Sequence, residues 1–241
     1  MKNISSKVTV SIVSHGHGAM VWRLVSQITS YSDVVKIIVT LNVSEFVPEN
    51  LSKKVFVIKN NKPKGFGENH NTAFDLVDSE FYCVLNPDIE FVENPFPALI
   101  NIFYNKECGV VAPVIINRDG VAEDSMRKDL TPSLLMKRIF GLNRGIYISN
   151  RLDSKVLPDW VGGMFMLFRT EAFEKVGRFD RRYFMYCEDA DICRRMWKIG
   201  YCVFGCLEVN VVHSAQRASH RNLKHLIWHL QSLLRYFFYS H

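Results

Sequence analysis

Four segments carry side chains whose types and spacing suit chemistry. Asn86-Pro87-Asp88-Ile89-Glu90 sets a carboxylate directly after the apolar run Phe81–Leu85. A carboxylate there is placed to meet a divalent cation on a diphosphate, where Mg²⁺ or Mn²⁺ would neutralise the charge of a departing phosphate. The same residues also make a good reverse turn with no ligand at all. Tyr186-Cys187-Glu188-Asp189-Ala190-Asp191 opens a helical pattern with three carboxylates in four positions. Acids there complement the helix dipole, typically for less than about 1 kcal/mol each. One of them could equally take the proton of an attacking hydroxyl, and the helix N-terminus is expected to keep it ionised. Trp160-Val161-Gly162-Gly163-Met164 begins a strand with paired glycines, which allow either close approach of a ligand or a β-bulge. Val211-Val212-His213 ends a strand and runs into Ser214, Gln216 and Arg217. The imidazole is a candidate cation ligand and the guanidinium a candidate phosphate contact, although a lone histidine fills many structural roles.

The elements that must position these groups alternate between strand and helix. Val8–Val13, Val34–Leu41, Val55–Lys59, Phe81–Leu85 and Gly109–Ile116 read as strands. Helical patterns follow the first strand, cover Asn71–Val77, and cover Pro95–Phe103. This order predicts an α/β fold with a mostly parallel central sheet flanked by helices, in one domain. Ligands bind beyond the carboxyl ends of such strands. Ser14 to His17, Asn42, the loop Gly65-Phe66-Gly67 and Asp88 all fall there and should line one crevice. Residues 117 to 158 are less regular, and are read as either an excursion over the site or a poorly patterned part of the fold. Val161–Phe168 reads as one strand, Thr170–Val176 as a short helix and Glu188–Ile199 as a longer one.

Composition narrows the function classes. Thirty basic against 24 acidic residues give a net charge of +6, which favours anionic partners such as nucleotides or an acidic lipid surface. No basic stripe with interleaved aromatics marks a nucleic-acid binder. Six cysteines occur without a CxxC pair, so reduced thiols are expected. The opening residues lack a long apolar signal region, and no run of about 18 apolar residues predicts a spanning helix. A cytoplasmic protein, with the option of peripheral attachment to the inner membrane face, is the expectation. Asn222–Tyr239 reads as an amphipathic helix. Its apolar face packs on the domain, pairs with a second subunit in a homodimer, or lies on an anionic membrane.

Taken together, the segments resemble the inverting nucleotide-sugar glycosyltransferases of family 2, which have the GT-A fold, and in particular their bacterial rhamnosyltransferase-like branch. The motifs that carry the resemblance are Val10 to His15, Gly65-Phe66-Gly67 with Asn71, and Asn86-Pro87-Asp88. They continue through Gly162-Gly163-Met164-Phe165-Met166 to Phe179-Asp180, then Glu188-Asp189-Ala190-Asp191 and His213. The resemblance implies that Asp189 is the general base, with Glu188 and Asp191 supporting it. Asp88 and His213 would hold Mg²⁺ or Mn²⁺. Ser14, His15, Asn42, Gly65, Phe66, Gly67, Asn71, Asn86, Asp88, Gly163 and Arg217 would surround the nucleotide sugar. Rhamnose from a dTDP-linked donor is the leading expectation, followed by hexose or galactofuranose from UDP donors. The implied acceptor is a growing O-antigen, capsule or cell-wall glycan on a lipid carrier. Residues 1–116 would form the nucleotide-sugar half, 117–218 the acceptor and catalytic half, and 219–241 the C-terminal helix. Two departures stand out: Asn86 replaces the first acid of the family's Asp-x-Asp, and His70 stands where many relatives have asparagine. Two rivals are a catalytically silent binding module and a nucleotidyltransferase. The latter would need a basic Gly-rich loop after the first strand, where this chain has Ser14-His15-Gly16-His17-Gly18.

Overall fold

The computed structural model describes residues 7–134, 154–214 and 223–238. Its first half alternates β1 (Val8–Ser14), α1 (Ala19–Thr29), β2 (Val34–Leu41), β3 (Val55–Lys59), α2 (Phe66–Phe74) and β4 (Phe81–Leu85). Then come β5 (Ile89–Glu90), α3 (Phe96–Ile102), β6 (Cys108–Ile116), β7 (Met126–Arg127), β8 (Lys155–Val156) and β9 (Trp160–Val161). The last elements are β10 (Phe165–Arg169), α4 (Thr170–Lys175), α5 (Glu188–Lys198), β11 (Cys202–His213) and α6 (Leu223–Phe238).

Among the described residues, the main sheet has the order β3-β2-β1-β4-β10-β6-β11-β5, with β8 against β11. The pairs β1–β2, β2–β3, β1–β4 and β6–β11 are parallel, whereas β10 runs antiparallel between β4 and β6. Strand periodicity divides the core between two faces. Val8, Val10 and Ile12 of β1, with Phe81, Cys83 and Leu85 of β4, pack with α1 and α3 on one side. Tyr82 and Val84 face the other side, with Phe173 of α4 and Ile192 and Met196 of α5. A strand covered on both faces needs polar partners for any polar residue it carries. Thr9 accordingly accepts from Ser79 Oγ at 2.7 Å, and Ser11 Oγ pairs with His70 Nδ1 at 2.8 Å.

Two sequence expectations are corrected here. The helix expected at Asn71–Val77 spans Phe66–Phe74, because Gly65 is its extended N-cap and Phe66 and Gly67 form its first turn rather than a loop. The strand expected over Val161–Phe168 is interrupted. Gly162 donates to the Ser125 carbonyl at 2.8 Å, so Trp160–Val161 pairs with β7 in a separate two-stranded sheet before β10 enters the main one. All six cysteines are free thiols, as their spacing implies. Residues 135–153, in the irregular middle, lie outside the described residues.

The C-terminal helix α6 packs one side on the second core through Tyr236, which is fully buried, and through Leu233 and Phe237. Among the described residues, no helix is long and apolar enough to cross a membrane.

Candidate active site

The carboxyl ends of β1 and β2 meet in a polar knot. Asn42 receives the Lys64 N–H and an Asn60 amide hydrogen on Oδ1, at 2.8 and 2.9 Å. Its own amide donates to the Lys64 carbonyl at 3.0 Å and faces His15 Nδ1 at 3.3 Å. Asn42 therefore ties the first turn to the loop that leads into α2. Ser14 Oγ donates to Glu45 at 2.8 Å, and the same carboxylate accepts the N–H groups of Gly16 and Gly18, at 2.8 and 2.9 Å. Both glycines have positive φ, which lets their N–H groups converge on one anion. Burial pushes the Glu45 carboxyl up, but these three donors outweigh it and hold it below the usual range. Sequence reasoning passed over Glu45, which sits in a stretch with no motif.

At the end of β4, Asp88 meets His213 of β11 because β5 pairs with β11 in the register Ile89 to His213. His213 Nε2 lies 3.2 Å from Asp88 Oδ2, and its Nδ1 lies 2.8 Å from Glu123 Oε2. Burial works against charge on His213, yet the two carboxylates raise its pKa above the ordinary histidine value. Burial likewise pushes Asp88 up, and the hydrogen bond and charge of His213 bring it below the usual carboxylate value. Glu123, 90 residues from His213 in sequence, is a second group that no motif announces.

The donor set of this corner suits a divalent cation. Asp88 Oδ1 is buried with no hydrogen-bond partner among the described residues, an orphan acceptor of the kind a cation satisfies. A carboxylate oxygen and an imidazole nitrogen are also suitable ligand types for Mn²⁺. Among the described residues no group of three or more His, Cys, Asp or Glu side chains is arranged to hold a metal. The residues fit a cation that also draws ligands from a bound diphosphate.

The third cluster opens α5. Tyr186 and Cys187 have φ of 74° and 65°, a left-handed conformation that costs non-glycine residues free energy and tends to mark functional sites. They turn the chain so that Asp189 Oδ2 accepts the Gly163 N–H at 3.0 Å. Burial raises the Asp189 pKa against the pull of the Ala190 and Gly163 amides and the Arg127 charge. The helix N-terminus, expected to keep this carboxylate ionised, is thus opposed by burial, and burial has the larger effect. Glu188 is deeply buried, with Oε2 unpartnered among the described residues. Burial and the neighbouring Asp189 charge push its pKa well above the ordinary value. Asp191 turns elsewhere: it is buried against Arg195, with nitrogen-to-oxygen distances of 2.8 and 2.7 Å. Arg195 in turn donates to the Val176 and Arg178 carbonyls, at 2.6 and 2.9 Å, so this pair fastens α5 to the chain before it.

The structure brings the second and third clusters to the carboxyl end of β4, where the antiparallel β10 begins. Asn86 N–H donates to the Met164 carbonyl at 2.9 Å, and the neighbouring Gly163 holds Asp189. His17 extends the group to the first cluster: burial lowers its pKa, while the charges of Asp88 and Glu45 act to raise it.

Other residues expected around the nucleotide also make contacts within the protein. A Cβ on Gly65 would lie 2.6 Å from the Phe184 carbonyl oxygen, and one on Gly67 would lie 2.6 Å from Phe179 Cβ. These glycines admit the chain that leads to Asp189. Phe66 donates its N–H to Phe184 at 2.9 Å, and its ring is what a Cβ on Gly163 would meet, at 3.2 Å. Asn71 is buried and clamps Phe179, donating to its carbonyl at 2.7 Å and accepting its N–H at 3.1 Å. Arg217 lies outside the described residues.

An α/β sheet whose strand ends carry a candidate base and a candidate cation corner agrees with the comparisons. Residues 11–177 match the model of Glycosyl transferase family 2. The chain belongs to glycosyltransferase family 2. As a member of that family it is a glycosyltransferase. It is 28% identical over 246 residues to rhamnosyltransferase WbbL of Escherichia coli, spanning 95% of this chain and 92% of that one. It is 30% identical over 178 residues to an N-acetylglucosaminyl-diphospho-decaprenol L-rhamnosyltransferase of Mycobacterium tuberculosis, across 69% of this chain and 57% of that relative. Among solved structures, this family 2 glycosyltransferase superposes on GalNAc-T7 with UDP, GalNAc and Mn²⁺. The TM-score is 0.67 and the identity 17%, over 89% of this chain and 45% of the other. It also superposes on the mannosyltransferase PcManGT of Pyrobaculum calidifontis in complex with GDP-Man and Mn²⁺, with TM-score 0.62 and 13% identity, over 95% and 64% of the two chains. These likenesses bear on the fold, which is GT-A.

Proposed function

We propose that the protein transfers a rhamnosyl group from a dTDP-linked donor to a hydroxyl of a glycan carried on a lipid diphosphate, with inversion at the anomeric carbon. The observation that carries the chemistry is that Asp189 and Asp88 are tied to the same end of β4 and β10, through the bonds Asp189–Gly163 and Met164–Asn86. The choice of sugar and acceptor rests on the likeness to the two rhamnosyltransferases.

In this reading Asp189 accepts the proton of the acceptor hydroxyl as that oxygen forms its bond to the anomeric carbon. The bond from the anomeric carbon to the diphosphate oxygen breaks on the opposite face, and its electron pair leaves with the nucleotide diphosphate. One displacement inverts the centre, and no sugar–enzyme bond forms. Asp189 suits the role because its pKa is raised, and a base works best when its pKa approaches the working pH. Gly163 fixes the orientation of the carboxylate through Oδ2. Glu188, held towards its protonated form, leaves Asp189 as the group of the pair that carries charge. Asp88 and His213 would hold Mg²⁺ or Mn²⁺, which when bound supplies positive charge against the leaving diphosphate. Glu123 fixes the ring of His213 from its other nitrogen. Residues 1–116 supply the donor side and residues 117–218 the acceptor side.

The test is a product assay with dTDP-rhamnose and a polyprenyl-diphosphate N-acetylglucosamine acceptor. A disaccharide product whose new linkage has the inverted anomeric configuration by NMR supports the reading. A retained configuration, or hydrolysis of the donor with no acceptor product, contradicts it.

A further inference from the structure

Helix α6 presents two different faces. On its inner side it grips the segment that delivers Asp189. Ser232 Oγ donates to the Met185 carbonyl at 2.8 Å, Tyr186 Oη pairs with His225 Nδ1 at 2.8 Å, and Arg235 donates to the Arg182 carbonyl. Trp228 packs on Phe184 with ring centroids 4.8 Å apart. On its outer side Leu226, Leu230, Leu234 and Phe238, four residues apart, are 55, 54, 57 and 74% exposed, and Ile227 flanks them. Residues four apart share one face of a helix, so these side chains form a continuous apolar row. Scattered exposed leucines need no explanation, but a row of this length marks a surface that another phase or molecule covers.

The charge of the surroundings identifies that covering. Glu208 is the last acidic residue of the sequence, and Arg217, Arg221, Lys224 and Arg235 follow it. Within α6 itself Lys224 and Arg235 meet no acidic residue of the same helix, and beside it Arg182 is already paired with Asp180 at 2.6 Å. A helix with basic residues and no acid offers no complementary charge to a second copy of itself, whereas an anionic lipid surface complements it. An apolar row flanked by basic residues on a helix without acids is the pattern of a segment that lies in a membrane interface.

We infer that α6 is an interfacial anchor, whose outer row enters the surface of an anionic bilayer while its inner side holds the Asp189-bearing segment next to that surface. The inference rests on the transferase reading for its purpose. An acceptor whose lipid tail stays in the bilayer would then offer its sugar hydroxyl to a base held by the helix that touches the same bilayer.

The test is sedimentation of the full chain with vesicles of phosphatidylglycerol and phosphatidylcholine, or of phosphatidylcholine alone. It compares wild type with the triple variant Leu226→Gln, Leu230→Gln, Leu234→Gln. Wild type is expected to partition at least tenfold more strongly to the anionic vesicles, and the triple variant to lose at least tenfold of that binding. Titration with dTDP in the absence of vesicles should be unchanged in the variant, since its three positions are exposed and outside the site. Equal partitioning of variant and wild type overturns the inference, as does a wild type that stays in the supernatant. So does a wild-type dimer in ultracentrifugation that the variant dissolves, with no vesicle binding. Failure of dTDP to bind either protein would count against the transferase reading and leave the vesicle result standing.

Discussion

The backbone N–H of Gly163 donates to Oδ2 of Asp189 at 3.0 Å, and through this bond the turn before β10 sets the orientation of the carboxylate. The same turn bonds Asn86 through the Met164 carbonyl, so one short loop relates Asp189 to the segment after β4 that carries Asp88. The left-handed residues Tyr186 and Cys187 hold the other side of Asp189, and α6 pins Met185 and Tyr186 in turn. Asp189 is therefore positioned by its own left-handed turn and by two elements remote in sequence.

Burial raises both Asp189 and Glu188, which has consequences for rate against pH. The acid limb of kcat/KM should lie above the ordinary aspartate pKa of about 3.9, since activity requires Asp189 to lose a proton that burial favours. Glu188→Gln replaces a carboxyl already held towards its protonated form with a neutral group of the same shape, and should leave that limb nearly in place. A pH–rate profile of both proteins checks this, and a limb that moves to lower pH in the variant would show that Glu188 carries charge beside Asp189.

The same glutamate links stability to pH. Its folded pKa is raised, so folding favours its protonated form, and stability is lost as pH rises from the unfolded value towards the folded one. Glu188→Gln should therefore melt near the wild-type temperature at pH 4 and above it at pH 8. Each ~1 kcal/mol relieved corresponds to about 2–4 °C for a chain of this size. Calorimetric scans at the two pH values decide it, and a variant that melts below wild type at pH 8 would contradict the sign.

Asp88 and Glu123 should differ in degree. Asp88→Ala removes a proposed ligand and should abolish the Mn²⁺-dependent part of dTDP binding. Glu123→Gln leaves His213 in place but loosens its orientation, and should weaken that part by about 10–100-fold, the usual effect of a residue that orients a metal-bound histidine. Titration calorimetry with and without Mn²⁺ reads both, and wild-type behaviour of either variant counts against its assigned place.

Asn71 should behave as a structural clamp. Asn71→Ala orphans the Phe179 N–H and carbonyl in a buried setting, at a cost of about 1–3 kcal/mol for each unsatisfied group. Urea unfolding should show that loss, while dTDP affinity of the folded fraction stays within about twofold. A selective loss of affinity with no change in stability would return Asn71 to the nucleotide.

Much of this was legible in the sequence, because strand ends are punctuated by residue type. Asp88 follows an apolar run, His213 closes another, and Glu188 and Asp189 open a helix, so all four could be named from local pattern. Glu45 and Glu123 could not. Each acts across 27 to 90 residues of chain on a partner that only the folded sheet brings near, and neither sits in a recognisable motif. Gly65 and Gly67 show a different limit. Glycine signals close approach, but not what approaches, and at these two positions the protein's own Phe184 and Phe179 come close. Asp191 likewise shares the acidic cluster in sequence, yet helix geometry turns it one residue pair beyond Asp189 and onto Arg195, four positions on.

If Asp189 takes the proton of the acceptor, turnover and dTDP affinity must part company in Asp189→Asn, which keeps the shape of the side chain and an acceptor for the Gly163 N–H. The kcat of that variant should fall by at least about a thousandfold, within the range that general-base catalysis and charge at the reacting centre supply, with dTDP affinity nearly intact. Turnover within a few-fold of wild type would remove Asp189 from the chemistry and require another base.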